Sequence, residues 1–253
     1  MASVTNTINN KKGYNQLVLR GIGIICTVIG TVQIAMYPAN AIMGLASWVG
    51  FAIFAFLLTE GLNHSMGKVL YGTRLFLFAA IAEIPFNLAS INRYSFTRIQ
   101  NPLFTLFIGF LMLAAVDAIR KKADNLIITI LAEVVFTLFG TYLMKGLGCM
   151  FSSFAMVYIM MFYIAGHIHY PRVFELVICY YIAFYISTQT VYTLTIGGFQ
   201  YDITTQAVII PTLLLIWLYN GKRGPNSIPL RYASYGYLPV LFLICWLMAN
   251  GGK

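Results

Sequence analysis

Apolar residues run along this chain in long blocks, and polar residues collect in the short gaps between them. A helix that crosses a bilayer needs about 20 mostly apolar residues. The stretches 16–36, 39–59, 68–90, 102–119, 125–144, 147–166, 173–192, 203–219 and 231–249 each meet or approach that length. The breaks carry their own punctuation: Pro38, Gly61 to Gly67, Ser90 to Asn101, the run Arg120-Lys121-Lys122, Lys145-Gly146, His167 to Arg172, Gly197-Gly198, and GKRGPNSIPLR from Gly221. The connections are too short to insert a soluble domain, and no internal repeat is visible. The pattern predicts an all-α, polytopic transmembrane helical bundle of about nine spanning helices, with residues 16–253 as one domain. The opening fifteen residues, MASVTNTINNKKGYN, are polar and read as a disordered tail. No signal peptide is needed, because the first apolar block is long enough to span and stay.

Composition strengthens this picture. Of the 253 residues, 60% are hydrophobic and 9% charged, and mean hydropathy is +0.80. Soluble domains carry roughly 25% charged residues. The net charge of +9 would suit a nucleic-acid partner in a soluble protein. Here topology explains it, and no nucleic acid is expected. With a cytoplasmic N-terminus, ten basic residues face inside: Lys11, Lys12, Lys68, Arg120, Lys121, Lys122, Arg172, Lys222, Arg223 and Arg231. Four face outside, Arg93, Arg98, Lys145 and Lys253, while Arg20 and Arg74 lie within helices. That asymmetry follows the positive-inside rule. The four cysteines, Cys26, Cys149, Cys179 and Cys245, lie in or beside apolar segments and read as buried, reduced thiols.

Several groups do not belong in lipid. Glu60, Arg74, Glu83, Asn87, Asp117 and Glu133 fall inside the blocks or at their ends, and an ionisable side chain at mid-bilayer costs about 2.5–3.5 kcal/mol on insertion scales. Glu83 and Asn87 are four apart and share a helix face. Pro85 between them removes a backbone donor. Together they form either a cavity wall, with Asn101 and Thr105 of the next helix converging on it, or an interhelical hydrogen bond that only holds the bundle. Glu60 and His64 form another i, i+4 pair, placed either to orient a headgroup or diphosphate-bearing cofactor or to cap a helix end with Lys68. His167 and His169 lack a nearby carboxylate or cysteine cluster, so they read as a surface loop and no metal is expected. The runs RKK at 120–122 and GKR at 221–223 are topogenic first and anion-binding second. No Walker or GxGxxG motif occurs.

Residues 44 to 117 resemble the TraX family of bacterial membrane proteins. The stretches FAIFAFLLTEGLNHS, RLFLFAAIAEIPFNLA and QNPLFTLFIGFL carry the likeness, with YNGKRG far downstream. The strong part covers about a third of the chain. The resemblance implies a single TraX-like transmembrane domain in a bacterial cytoplasmic (inner) membrane. It also implies membership of the multi-pass membrane acyltransferases, whose founding TraX member looks like an N-acetyltransferase of a pilin N-terminus. Acyl-CoA or acetyl-CoA would be the donor. Membrane lipid and a small peptide or pilin-like membrane protein would be the partners.

The chain departs from what that resemblance implies for the site. Gly30-Thr31 stand where an Asp-His pair is expected, Ser47-Trp48 replace a Gly-Arg pair, and Leu241 stands where a last-helix histidine is expected. Acyl transfer needs a group that takes the acceptor's proton, which leaves Glu83 first and Glu133 second as candidate bases. Glu60, His64, Arg74, Asn87, Asn101 and Thr105 are the candidate cavity residues. Two readings follow: an acyl- or acetyltransferase with a rewired site, or a non-catalytic relative that keeps the cavity and binds a peptide, lipid or partner protein. No repeated half with matching broken helices points to a transporter.

Overall fold

A computed structural model describes residues 13–64, 67–91, 99–123, 125–196, 199–222, 224–225 and 228–250. Nine α-helices are present among them: α1 (Gln16–Met36), α2 (Ala41–His64), α3 (Lys68–Ile91), α4 (Pro102–Lys122), α5 (Leu126–Gly146), α6 (Ala155–Ala165), α7 (Pro171–Tyr181), α8 (Ile209–Trp217) and α9 (Ile228–Asn250). Six of them, α1 to α5 and α9, are long and apolar enough to cross a membrane. The molecule is a polytopic helical membrane protein. Side chains such as Ile127, Leu131, Val135 and Leu138 of α5 stand exposed, which water would penalise and lipid accepts.

Local chemistry sets the helix starts. Asn15, Asn101 and Asn125 cap α1, α4 and α5 by accepting the backbone N–H of Val18, Leu103 and Ile127, each worth about 1 kcal/mol. Pro102 follows its cap at the first helical position, where its missing N–H is no loss. Helix α3 tolerates Pro85 in its interior.

Three expected spans, 147–166, 173–192 and 203–219, differ from the sequence reading, while 231–249 is found as α9. Helix α6 has 11 residues, nine of them buried, so it is core rather than a lipid-facing span. Helix α7 also has 11 residues and continues as a π-turn over Ile182–Ile186. Then comes an antiparallel hairpin, β1 (Thr190–Ile196) with β2 (Phe199–Thr204), pairing Thr193 with Asp202. A 3-10 turn, Thr205–Val208, leads into the nine-residue α8. The stretches 173–192 and 203–219 therefore break into short helices joined by strands, and the count of long spans is six rather than about nine.

Helices α2, α4 and α6 form the centre. Their core includes Phe51, Leu58, Leu113, Val116, Tyr158 and Ile159. Helix α1 packs on α2, α3 packs on α4 and α9, and α9 closes back on α1. The end of the bundle where α1 begins also holds the end of α2 and the start of α3. It is called the near end below, and the far end is where α4 begins. Of the expected tail, residues 1–12 lie outside the described residues. Gly13 to Asn15 are tied to the chain after α8: Tyr14 N–H donates to Leu218 O at 3.2 Å, and Asn220 N–H donates to Tyr14 O at 3.0 Å. The left-handed turn this needs falls at Gly221, φ 80°, where glycine has no Cβ penalty.

Candidate functional site

Helix geometry places Glu83 and Asn87 one turn apart on α3, and the chain entering α4 brings Asn101 against them. Glu83, Asn87 and Asn101 are 1%, 1% and 0% exposed. Glu83 Oε1 accepts from Asn87 Nδ2 at 3.1 Å. Its Oε2 accepts from Asn101 Nδ2 at 2.7 Å and from Asn101 N–H at 3.2 Å. Asn101 Nδ2 also donates to Ala79 O at 2.8 Å, while its Oδ1 caps α4 at Leu103 N–H, 2.9 Å. Among the described residues no cation pairs with Glu83. Three N–H donors therefore stabilise a carboxylate that lipid alone would not. Asn87 Oδ1 has no partner. Thr105, one turn into α4, turns elsewhere: its hydroxyl donates to Met150 O at 2.7 Å. Beside it, Gln100 pairs in parallel with Cys149. The node locks α3, α4 and the turn after α5 together at the far end.

The second candidate base lies elsewhere. Glu133 of α5 is buried, with Arg120 Nη2 at 3.5 Å. Asp117 of α4 pairs with Lys68 and, at 2.8 Å, with Lys121. Lys68 is thus engaged by Asp117 rather than by Glu60. Glu60 instead accepts from the Tyr219 hydroxyl at 3.4 Å. The side chain of His64 lies outside the described residues. Arg74 Nε is buried without a hydrogen-bond partner. All four cysteines are free, three of them buried. Among the described residues no group of three or more His, Cys, Asp or Glu can hold a metal. His167 Nδ1 is instead 2.8 Å from Tyr163 O.

A cavity inside the bundle lies apart from both carboxylates. It measures about 140 Å³ and runs between α1, α2, α3, α4 and α9. Its near end carries Arg20, Tyr71, Ser234, Tyr235 and Tyr237; its middle carries Thr27, Thr31 and Ser47; its far end is closed by apolar groups including Phe86, Leu103 and Phe151. Arg20 Nη1 donates to Ser234 Oγ at 3.0 Å. The Thr27 and Tyr237 hydroxyls are 2.7 Å apart. Thr31 donates back to Thr27 O at 2.8 Å. Tyr71 hydrogen-bonds Tyr235, and Arg20 and Arg74 both lie within electrostatic reach of Tyr71. Phe151 has φ 63°, an unusual backbone state for an aromatic residue. Its ring sits 4.7 Å from those of both Trp48 and Phe51.

Among the described residues no Asp, Glu, His or Cys lines this cavity. Glu83, Asn87, Asn101, Thr105, Glu60, Arg74 and Glu133 are all absent from its wall. Of the residues that do line it, the sequence names Gly30, Thr31 and Ser47 only as departures from what the resemblance implies, and gives Arg20, Tyr71, Ser234, Tyr235 and Tyr237 no site role. Two signals mark them in hindsight: an arginine inside an apolar block at Arg20, and the hydroxyl-rich run YASYGY at 232–237. Gly30, Thr31 and Ser47, positions at which the resemblance implies other residues, all line the cavity.

A family model described as TraX protein matches residues 16–249. No curated protein and no solved structure matches the chain.

Proposed function

The chain belongs to the TraX family, and on that premise we propose that it binds an acyl-bearing, anionic amphiphile in the bundle cavity and holds it without transferring the acyl group. The observation that carries this reading is the cavity wall: a guanidinium and hydroxyls at one end, aromatic and aliphatic side chains at the other, and, among the described residues, no proton-accepting carboxylate, imidazole or thiolate. An acyl transfer needs such a group beside the reacting carbonyl. Glu83 is saturated by N–H donors, and Glu133 pairs with Arg120.

The ligand class follows from the lining. Arg20 at the near end suits a phosphate or carboxylate. The apolar far end suits a short acyl chain. A volume of about 140 Å³ is below the roughly 300–1,000 Å³ of pockets that enclose drug-sized molecules. The cavity therefore takes the acyl end of a donor such as acetyl-CoA or acyl-CoA and leaves the bulk of the carrier at its mouth. Such a donor supplies an activated thioester when bound; the chain's own residues orient and enclose it. A small peptide or pilin-like membrane protein in a bacterial cytoplasmic membrane is the proposed partner.

The experiment uses purified protein in lipid nanodiscs with labelled acetyl-CoA and a panel of N-terminal peptides. Saturable binding without label on any peptide is expected. Arg20→Gln should weaken binding about 10-fold or more, from the 1.5–3 kcal/mol typical of a charged hydrogen bond. Label appearing on a peptide overturns the non-transferring reading, and binding that Arg20→Gln leaves unchanged overturns the site.

A further inference from the structure

Three helices bring three buried, unpartnered polar atoms together toward the near end, outside the cavity. They are Glu133 Oε1 of α5, Arg120 Nη1 of α4 and the Tyr163 hydroxyl of α6. Glu133 is 6% exposed and Tyr163 0%. The Arg120 guanidinium lies over the Tyr163 ring, 5.6 Å from its centroid. Its Nη2 approaches Glu133 Oε1 at 3.5 Å, longer than the 2.7–2.9 Å of a tight charged hydrogen bond. His167 follows α6, exposed to water. Its ring packs 4.7 Å from that of Tyr163 and lies within electrostatic reach of Glu133.

These groups face Glu133 from every side the structure describes. Arg120 comes from α4, with Asp117, Lys121 and the Lys68 of α3 behind it. Tyr163 comes from α6 and His167 from the turn that follows. Tight Arg–carboxylate pairs are frequently bidentate, using both carboxylate oxygens. Glu133 has one long contact and an unpartnered hydroxyl in its neighbourhood. That geometry serves the carboxyl in two states. Ionised, it faces Arg120. Protonated, it can donate its O–H to the Tyr163 oxygen. An ionisable group within a span is also the usual mark of a proton or ion path.

We propose that Glu133 is a proton-binding site, loaded from the aqueous near end through His167, with Tyr163 receiving the hydrogen bond of the protonated carboxyl. The step is a simple proton transfer: the imidazolium N–H bond breaks, the Glu133 O–H bond forms, and a hydronium ion of the acidified bulk returns a proton to His167 and is left as water. Loading removes the negative charge opposite Arg120 and so couples the α4–α5 contact to pH. The site does not depend on the ligand proposed for the cavity.

Infrared difference spectroscopy of the protein in nanodiscs tests it directly. On acidification a carboxyl C=O stretching band should appear, vanish in Glu133→Gln and shift in frequency in Tyr163→Phe. In His167→Gln the same band should appear about tenfold or more slowly after a pH jump, as loss of a positioned proton carrier predicts. A spectrum identical in wild type and Glu133→Gln, over the whole pH range in which the protein stays folded, overturns the proposal. Should Glu133→Gln fail to fold, Glu133→Asp decides instead: a shifted band supports the site and an unmoved band removes it.

Discussion

At Gly30 the first two helices come closer than any side chain allows. A Cβ built there lies 2.0 Å from Ser47 Oγ and 3.0 Å from Ser47 Cα. Gly30→Ala must push α1 from α2, and a lower unfolding temperature equivalent to about 1–3 kcal/mol is expected. Adding Ser47→Gly to the same chain should recover most of the loss, measured by thermal unfolding in detergent. The two departures from the family pattern at 30 and 47 are thus one contact, which a linear sequence presents as two. The Glu83 node was more legible. Insertion cost alone singled out Glu83 and Asn87, and spacing added Asn101. What the cost argument could not give is the use to which the carboxylate is put, because a ligand site and a crosslink impose the same demand for buried partners. The hydrogen bonds show where its donors come from: Asn87 on α3 and Asn101 at the start of α4. Asn101→Ala keeps the backbone N–H to Glu83 but removes the side-chain donor to Glu83, the bond to Ala79 O and the cap of α4, so it should destabilise by about 2–4 kcal/mol, again read from thermal unfolding.

Among the elements, the six long spans could be read with ends within a few residues, because hydropathy and punctuation agree there. Residues 16–36 match α1 and 68–90 match α3 within one residue. Between Gly146 and the start of α9 the same signal misleads. Thr190 to Ile196, TVYTLTI, is as apolar as a helix but β-branched and aromatic, and short apolar runs do not distinguish strand from helix. Helix α6 fails differently: it is apolar on all sides because it is buried, which hydropathy reads as a span. Glu175 of α7 shows what the short helices use in place of length. Its Oε2 accepts from Trp217 Nε1 of α8 at 2.6 Å, so the two broken helices support each other. The even number of helix passes between Ile99 and the far end of α5, and the single pass of α4, fix one topological expectation. Cysteines placed at Ile99 and at Lys121 should label from opposite sides of the membrane, with Lys121 on the cytoplasmic side by the positive-inside rule. Labelling in intact cells and in inverted vesicles checks it; both sites reacting from one side removes the assignment.

On the scale of the whole molecule, the cavity draws its wall from α1, α2, α3, α4 and α9, helices separated by most of the chain. No local window contains Arg20 and Ser234 together, although they touch. That is why the cavity residues escaped a reading that found the two carboxylates. Long-range placement also bears on how the protein is made. Asn101 lies 18 residues beyond Glu83, so α3 leaves the ribosome with a carboxylate that has only its own Asn87 as a donor. Alone in hydrocarbon, that helix carries a penalty of about 2.5–3.5 kcal/mol. Relief comes only when the start of α4 has emerged and folded back. Helices α3 and α4 therefore enter the bilayer as a pair rather than in sequence. A nascent chain halted short of residue 101 should keep α3 in the protein-lined exit of the insertion machinery, where chemical crosslinks to that machinery would still capture it, and extension past Asn101 should release both helices to lipid together.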